Sequence, residues 1–237
     1  MTKADGSLVT LADLKTQAFI LGELQTLFPA WPVLGEEMSP ETQAAMLADG
    51  QSRLWCLDPL DGTSNFAGGF PFFAISLALL EAGQVRWGLV LDPVRDECFV
   101  AERGQGAWLN GVPLPKPARS AELKDCLALV DLKRLPPALL SRLGREAPYR
   151  SQRSLGAVAL EWCWLAAGRA QLYLHGGQRL WDYAAGSLIA NEAGVSSQML
   201  PPHQEPAFPS GALAPQRAVA AANQKLLDHW RAWVDSA

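Results

Sequence analysis

Cysteine and histidine are scarce in this sequence, and no spacing typical of a disulfide framework joins them. Its 237 residues include four cysteines and three histidines. The cysteines are scattered, at Cys56, Cys98, Cys126 and Cys163, and form no CxxC pair. This distribution is typical of reduced thiols in an intracellular protein. We therefore expect a cytoplasmic location.

Long apolar runs and an excess of basic residues are also missing. The longest apolar run, FPFFAISLALL at 70–80, is too short to cross a bilayer and is interrupted by Pro71. The first residues, MTKADGSLVTLAD, lack the apolar centre of a signal peptide. A net charge of −4 argues against a nucleic-acid-binding face. We expect neither a membrane partner nor a nucleic acid as substrate.

The sequence does contain a succession of apolar segments, some typical of strands and some with apolar residues at helical spacing. Hydrophobic residues make up 49% of the chain, enough for a large core. Apolar segments joined by tight turns predict antiparallel strands, and apolar residues at helical spacing predict helices. The pattern predicts a layered α/β fold of the α+β type, with helices alternating with mainly antiparallel sheets. Helices are predicted at 13–28, 154–169 and 181–194, strands at 53–58, 72–81, 85–94, 96–104 and 106–114, and a proline-rich loop at 201–215.

The stretch WCLDPLDGTSNF, at 55–66, carries the most chemical information. Asp58 follows the apolar residues 54–57, so we expect it to leave a buried strand, and Asp61 follows three positions later. Further acids, Glu36 and Asp182, also stand at predicted element ends. Clustered acids at buried positions repel one another unless a cation neutralises them. Hard oxygen ligands with few histidines or cysteines nearby favour Mg²⁺ over Zn²⁺.

The residues around the two aspartates suit an anion. Pro59 lacks an N–H and stiffens the turn, which allows Asp58 and Asp61 to point at one place. The following Gly-Thr-Ser-Asn, at 62–65, can begin a helix whose free N–H groups and positive dipole end suit a phosphate. A metal site beside a phosphate site is the arrangement that phosphoryl transfer needs.

Three separated motifs together resemble the inositol monophosphatase family of Mg²⁺-dependent, lithium-sensitive phosphatases. They are GEE at 35–37, DPLDGTSNF at 58–66 and WDYAAGSLIANEAG at 181–194, in the order that the family has. The resemblance implies a five-layer αβαβα sandwich that lacks the family's usual first helix, and a homodimer. It also implies one catalytic domain over 1–237, with a metal-site half at about 1–115 and a C-terminal half at about 116–237.

The resemblance also implies roles for individual residues. A Thr–Asp pair, Thr63 with Asp13, together with Glu36 would orient an attacking water and take up its proton. A metal-activated water would attack phosphorus in line. The expected metal ligands are Glu36, Asp58, the Leu60 carbonyl, Asp61 and Asp182. The expected phosphate and substrate contacts are Gly62, Thr63, Gly156, Ala157 and His175, with Lys3 as a basic residue near the site.

The sequence departs from the family at the predicted substrate side. His175 stands where the inositol phosphatases have a glutamate that contacts substrate hydroxyls. The local text LYLHGGQRLWD also differs from the segment of 3′-phosphoadenosine phosphatases. The expected activity is that of an inositol-1-monophosphatase. The alternatives are a 3′(2′),5′-bisphosphate nucleotidase, a fructose-1,6-bisphosphatase or a regulatory binding protein that retains the fold.

Overall fold

Two β-sheets separated by helices build the protein. The computed structural model describes residues 8–48, 53–116, 122–200 and 214–236, so Lys3 and most of the loop predicted at 201–215 lie outside the described residues. Helices were found where the apolar spacing predicts them, including 13–28 and 181–194. The helices are α1 Leu11–Leu27, α2 Pro40–Ala48, α3 Thr63–Gly68, α4 Pro137–Glu146, α5 Val158–Ala166, α6 Leu180–Ala193 and α7 Gln224–Asp235.

The first sheet has seven strands that follow one another in chain order. All neighbouring strands pair antiparallel except the first two, which are parallel. The predicted turn at Asn110–Gly111 joins the last two strands, with positive φ angles of 49° and 78°. The strands are β1 Val33–Gly35, β2 Arg53–Asp61, β3 Ala74–Glu81, β4 Gln84–Asp92, β5 Glu97–Glu102, β6 Gly106–Leu109 and β7 Val112–Pro113.

The second sheet has five strands in the order β11-β12-β10-β8-β9. Strands β8, β9 and β10 run parallel, so their carboxyl ends meet at one edge, whereas β12 pairs antiparallel with β10 and β11. The two outermost strands, β9 and β11, are short and polar, and the sequence pattern does not predict them. The strands are β8 Leu127–Asp131, β9 Ser151–Arg153, β10 Leu172–Gln178, β11 Ser196–Leu200 and β12 Gln216–Ala221.

The helices form three layers around and between the sheets. Helix α1 packs on β1 and β2, α5 and α6 pack between the sheets, and α4 and α7 contribute to the core on the far face of the second sheet. Helix α6 is buried on nearly all sides because it has a sheet on each face. On one side Gly88 of β4 admits it closely, since a Cβ there would lie 2.9 Å from the Ala185 Cα. This arrangement is the expected five-layer sandwich.

The outer face of the first sheet is only partly covered. Helix α1 begins at a capping box. The Thr10 hydroxyl oxygen accepts the Ala12 N–H, and Asp13 Oδ2 accepts the Thr10 N–H. Its far side exposes large apolar side chains, among them Leu11 at 67%, Phe19 at 70% and Leu27 at 66% exposure. None of the described helices combines the length and apolar character needed to span a membrane.

Candidate active site

A β-bulge in β2 brings the two aspartates of the central motif onto one face. The predicted strand ends at Asp58, but the observed strand β2 continues to Asp61. Asp58 pairs with Ser76 and Asp61 with Ala74, so the segment between them carries one residue more than its partner. Residues three apart in a regular strand point to opposite faces, and the extra residue reverses that relation. Both carboxylates therefore face the inner layer, where α5 and α6 begin.

Four carboxylates come together at this bulge. Asp58 and Asp61 are only 2% and 7% exposed. Burial raises the pKa of Asp58 well above its usual value, and the nearby charges of Glu36, Asp61 and Asp182 raise it further. Burial and the charge of Asp182 likewise raise the pKa of Asp61. The strand that carries Asp58 and the segment that carries Glu36 are adjacent, because the Glu36 N–H donates to the Leu57 carbonyl at 3.1 Å.

Asp182 joins this group from the far half of the chain. It lies in the first turn of α6, and its Oδ2 accepts the Arg179 backbone N–H at 2.8 Å. Burial, followed by the charge of Glu36, raises its pKa to about 7. The start of α6 is tied to the first sheet because the Ser76 hydroxyl donates to the Trp181 carbonyl at 3.1 Å. The structure thus brings Glu36, Asp58, Asp61 and Asp182 together, as the motifs predict.

The donor set fits a hard divalent cation such as Mg²⁺. All four side chains offer oxygen, and the raised pKa values of the three aspartates indicate that ionising them together is unfavourable without a compensating positive charge. Among the residues that the structure describes, no three carboxylate, imidazole or thiol groups are already closed around one point.

Thr63 and Asp13 form the expected pair beside this cluster. The Thr63 hydroxyl lies 3.0 Å from Asp13 Oδ1 and 3.0 Å from the Leu60 carbonyl oxygen. Asp13 is fully buried, and its other oxygen accepts the backbone N–H and the hydroxyl of Thr10 at 2.7 and 2.6 Å. The capping interaction with Thr10 thereby fixes Asp13 in place as a partner of Thr63. A hydroxyl proton can serve one of its two acceptors at a time, so the Thr63 oxygen retains lone pairs for a further donor.

The predicted phosphate site lies at the start of α3. Gly62 precedes that helix with φ of 90°, a conformation that side chains disfavour. A Cβ on Gly62 would lie 3.0 Å from the Cβ of Ala157 and 3.1 Å from the Phe72 carbonyl. The glycine is therefore required both for its backbone angle and for the close approach of residue 157. Gly62 and Ala157, two predicted substrate contacts, are neighbours in space.

Two contacts, at Ala159 and at Leu155, hold the loop that contains Gly156 and Ala157 against the first half of the chain. The Ala159 N–H donates to Asp61 Oδ2 at 2.6 Å, across 98 positions of sequence. The Asn65 side-chain amide donates to the Leu155 and Phe72 carbonyls, both at 2.7 Å. Because Asp61 is itself an expected ligand, this loop and the acid cluster are positioned together.

A buried acid holds the same loop from the other side. Glu161 is 2% exposed, and its Oε1 accepts the N–H groups of Leu155 and Gly156 at 2.8 and 3.2 Å. Burial raises its pKa to about 7 in spite of these two hydrogen bonds. Sequence reasoning gave no role to Glu161 or to Asn65. Asn65 could have been noticed because it lies inside the central motif. Glu161 could have been noticed because it is a single acid in a strongly apolar helix.

His175 is buried and engaged on both ring nitrogens. It is 3% exposed, its Nδ1 accepts the Gly177 N–H at 3.2 Å, and its Nε2 lies 2.9 Å from Asp131 Oδ2. The ring proton therefore sits on Nε2, which donates to Asp131. Burial alone would raise the pKa of Asp131, but the hydrogen bonds from His175 and from the Lys133 backbone N–H lower it to about 2. A direct substrate contact by His175 stays a prediction, and Asp131 is a group that the sequence reasoning missed.

The amino-acid sequence matches one protein family and is similar to several known proteins. A model of the inositol monophosphatase family matches residues 2–233. An inositol monophosphatase from Mesembryanthemum crystallinum is 37% identical over 199 residues, which cover 81% of this chain and 73% of the relative. A protein from Vibrio cholerae named Nus factor SuhB is 34% identical over 205 residues, which cover 81% and 72%.

Solved structures agree with these sequence matches. The extragenic suppressor protein SuhB of Bartonella henselae superimposes with a TM-score of 0.82 at 29% identity, over 99% of this chain and 87% of that one. The enzyme SaIMPase-II, solved with inositol monophosphate bound, gives a TM-score of 0.76 at 27% identity, over 95% and 83%. The same enzyme has also been solved with 2′-AMP bound.

The layered fold and these relatives define the protein as a phosphoric monoester hydrolase. More closely, the chain belongs to the inositol monophosphatase family.

Proposed function

We propose that this chain is a Mg²⁺-dependent phosphomonoester hydrolase with the substrate preference of an inositol-1-monophosphatase. One observation carries the proposal: the bulge in β2 places Asp58 and Asp61 on one buried face, directly before Gly62 and Thr63. This juxtaposes a carboxylate cluster with the start of α3. Such a pairing suits a cation and a phosphate bound side by side.

The cation would be held by residues from both halves of the chain. Asp58, Asp61 and Asp182 would supply carboxylate oxygens, with Glu36 and the Leu60 carbonyl completing the set. When bound, Mg²⁺ would act as a Lewis acid on the phosphate and lower the pKa of a water molecule. The Ala159 N–H keeps Asp61 oriented by occupying one of its oxygens, so the other oxygen is left to face the cation.

Thr63 and Asp13 would position the attacking water. The Thr63 hydroxyl donates to Asp13, and its lone pairs can then accept a proton of the water. Asp13 is suited to this role because it is held by Thr10 on its other oxygen and cannot rotate away without losing two hydrogen bonds. Orientation of this kind, together with proton transfer, typically accounts for about 10²- to 10⁴-fold in rate.

Small phosphorylated molecules are the substrates that the relatives support. SaIMPase-II binds inositol monophosphate and 2′-AMP in its solved structures. The nucleotidase and fructose bisphosphatase alternatives would use the same phosphate hydrolysis and would differ only in the residues that contact the rest of the substrate. A regulatory binding protein is the second candidate function, favoured by the similarity to the Vibrio cholerae protein named Nus factor SuhB.

Phosphate release separates these candidates. Purified protein is assayed with inositol 1-phosphate, 2′-AMP, 3′-phosphoadenosine 5′-phosphate and fructose 1,6-bisphosphate, with Mg²⁺ and with EDTA. We expect Mg²⁺-dependent turnover that Asp61→Asn abolishes, because the amide keeps an acceptor for the Ala159 N–H but loses the anionic ligand. Glu102→Gln is the control, since the Glu102 side chain is 45% exposed and forms an ion pair with Arg86. Absence of Mg²⁺-dependent turnover in the wild type would favour the regulatory function, and full activity of Asp61→Asn would refute the metal assignment.

A further inference from the structure

Glu36, an expected cation ligand, lies on a turn rather than inside a helix or strand. Strand β1 ends at Gly35, and the Met38 N–H donates to the Gly35 carbonyl at 3.3 Å, which closes the turn. The Glu36 N–H donates to the Leu57 carbonyl at 3.1 Å, which joins the turn to β2 one residue before Asp58. Turns are generally more mobile than the elements they connect. A ligand on a turn therefore loses conformational freedom when it binds, unless other groups fix the turn beforehand.

A buried glutamine of α2 holds two carbonyls of this turn. Gln43 is 6% exposed, and its Nε2 donates to the Gly35 carbonyl at 2.9 Å and to the Glu36 carbonyl at 3.2 Å. A side-chain amide nitrogen carries two N–H donors, so a single glutamine can serve both carbonyls. Gln43 thus contacts the backbone on both sides of the Glu36 Cα.

A second glutamine, on α1, holds the following residue of the turn. Gln17 Oε1 accepts the Glu37 backbone N–H at 3.3 Å. Gly35 permits this approach, since a Cβ at that position would lie 2.5 Å from Gln17 Oε1. The glycine before Glu36 is therefore needed for the contact between α1 and the turn.

The two peptide units that flank the Glu36 Cα have all four of their polar groups hydrogen-bonded. Leu57 and Gln43 hold the unit before it, and Gln43 and Gln17 hold the unit after it. Peptide units are planar, so two fixed units set the direction of the Cα–Cβ bond between them. The side chain of Glu36 therefore leaves the turn in a defined direction.

Helix α1 links this turn to the expected water-positioning pair. Gln17 follows Asp13 by four residues, and residues at that spacing lie on one face of a helix. Asp13 Oδ1 lies 3.0 Å from the Thr63 hydroxyl, whereas Gln17 contacts the turn of Glu36. One helix face thus keeps the hydroxyl and the expected cation ligand at a fixed spacing.

We propose that Gln17 and Gln43 are positioning residues that preorganise Glu36 for the cation. The inference rests on the proposed function and adds two residues outside the expected ligand set. Both glutamines act through the backbone of the turn, Gln17 as an acceptor and Gln43 as a donor, and neither binds the cation itself. Because the turn is already ordered, less conformational freedom is lost on binding and the affinity for Mg²⁺ is higher.

Calorimetric titration with Mg²⁺, without substrate, tests the inference. Gln17→Met and Gln43→Met keep a side chain of similar length and remove its hydrogen bonds. Each should weaken Mg²⁺ binding by about tenfold, as is typical for residues that orient metal ligands. Gln17→Glu should bind Mg²⁺ at least as tightly as wild type, because a carboxylate still accepts the Glu37 N–H.

The control variant is Gln25→Met, which makes the same substitution at an exposed position of α1. It should leave Mg²⁺ binding unchanged. Thermal melts in EDTA report the effect of each substitution on folding separately from its effect on affinity. In phosphate-release assays, Gln17→Met and Gln43→Met should need more Mg²⁺ for half-maximal rate, and their kcat at saturating Mg²⁺ should change less than their affinity.

The outcomes separate this inference from the proposed function. Wild-type Mg²⁺ affinity in both methionine variants would overturn the inference and leave the proposed function intact, even if their melting temperatures fall. Binding by Gln17→Glu as weak as that of Gln17→Met would also overturn it. If one methionine variant does not fold, the other decides, because the two glutamines hold the same turn from different helices. Absence of Mg²⁺ binding by the wild type would overturn both the inference and the metal assignment.

Discussion

Replacing Asp182 by asparagine should stabilise the metal-free protein and abolish its stabilisation by Mg²⁺. The four acids of the cluster repel one another, and Asp182 belongs to this group through its proximity to Glu36. Asparagine has nearly the same shape and can still accept the Arg179 N–H at the start of α6. The substitution therefore removes a charge without removing the local hydrogen bond.

The magnitude follows from the pKa. Asp182 is raised from 3.8 to about 7, and each pH unit of difference is worth ~1.4 kcal/mol. Ionised Asp182 thus costs on the order of 4 kcal/mol at pH 8. Asparagine gives up the favourable interaction of a negative charge with the α6 dipole, about 1 kcal/mol. A net gain of roughly 2–3 kcal/mol remains, which for a chain of this size raises the melting temperature by roughly 5–10 °C.

The sign of the pH dependence provides a sharper test than the size. A carboxyl whose pKa is raised by folding costs nothing below about pH 4, where it is protonated in both the folded and the unfolded state. Its cost grows as the pH rises from about 4 to 7 and is constant above that range. Thermal melts in EDTA at pH 4, 6 and 8 should therefore show a difference between Asp182→Asn and wild type that is small at pH 4 and largest at pH 8.

Added Mg²⁺ should reverse the order of the two proteins. A ligand that binds only the folded state raises the melting temperature, so wild type should gain and Asp182→Asn should not. Asp228→Asn, at an exposed position of α7, is the control for removing a charge. A lower melting temperature for Asp182→Asn in EDTA at pH 8, or the same difference at pH 4 and pH 8, would refute the reasoning.

Four further predictions address catalysis, inhibition, association and packing. Thr63→Ala should lower kcat by about 10²-fold or more while Thr63→Ser retains most activity, because the role needs only the hydroxyl; equal activities would exclude it. By resemblance to the family, Li⁺ should inhibit uncompetitively, and strict competition in steady-state kinetics would argue against that resemblance. Light scattering should show a homodimer that Phe19→Glu weakens if the exposed face of α1 is the contact, and a monomeric wild type would contradict this. Gly176→Ala should destabilise by about 1–3 kcal/mol in urea unfolding, whereas Gly144→Ala, with open space around it, should not.

Much of the architecture could be predicted because its signals are local. Helix α6 ends at Ala193, and the following Gly194, with a φ of 101°, caps the helix as its position predicts. The alternating burial of β3 follows the alternation of residue types along it. The parallel strands of the second sheet were harder to predict, since β9 is a three-residue polar strand whose pairing depends on β8 rather than on its own composition.

The sequence by itself determined which chemistry the site could hold. A central motif with two aspartates, a glycine and a threonine, with further acids at element ends, is sufficient to indicate a divalent cation beside a phosphate. These residues are close in sequence, and the preferences of carboxylates for hard cations do not depend on the rest of the fold. The predicted identities of Asp58, Asp61 and Thr63 as site residues rest on that local information.

Only the tertiary structure decided how these groups face one another. An extra residue in β2 is visible only against its partner β3, and it turns Asp61 to the same face as Asp58. The hydrogen bond from the Asn65 side-chain amide to the Leu155 carbonyl joins residues that are 90 positions apart. Burial of His175 against Asp131 likewise depends on two parallel strands in register. Such contacts join distant segments, and their geometry depends on packing that no single stretch of the chain encodes.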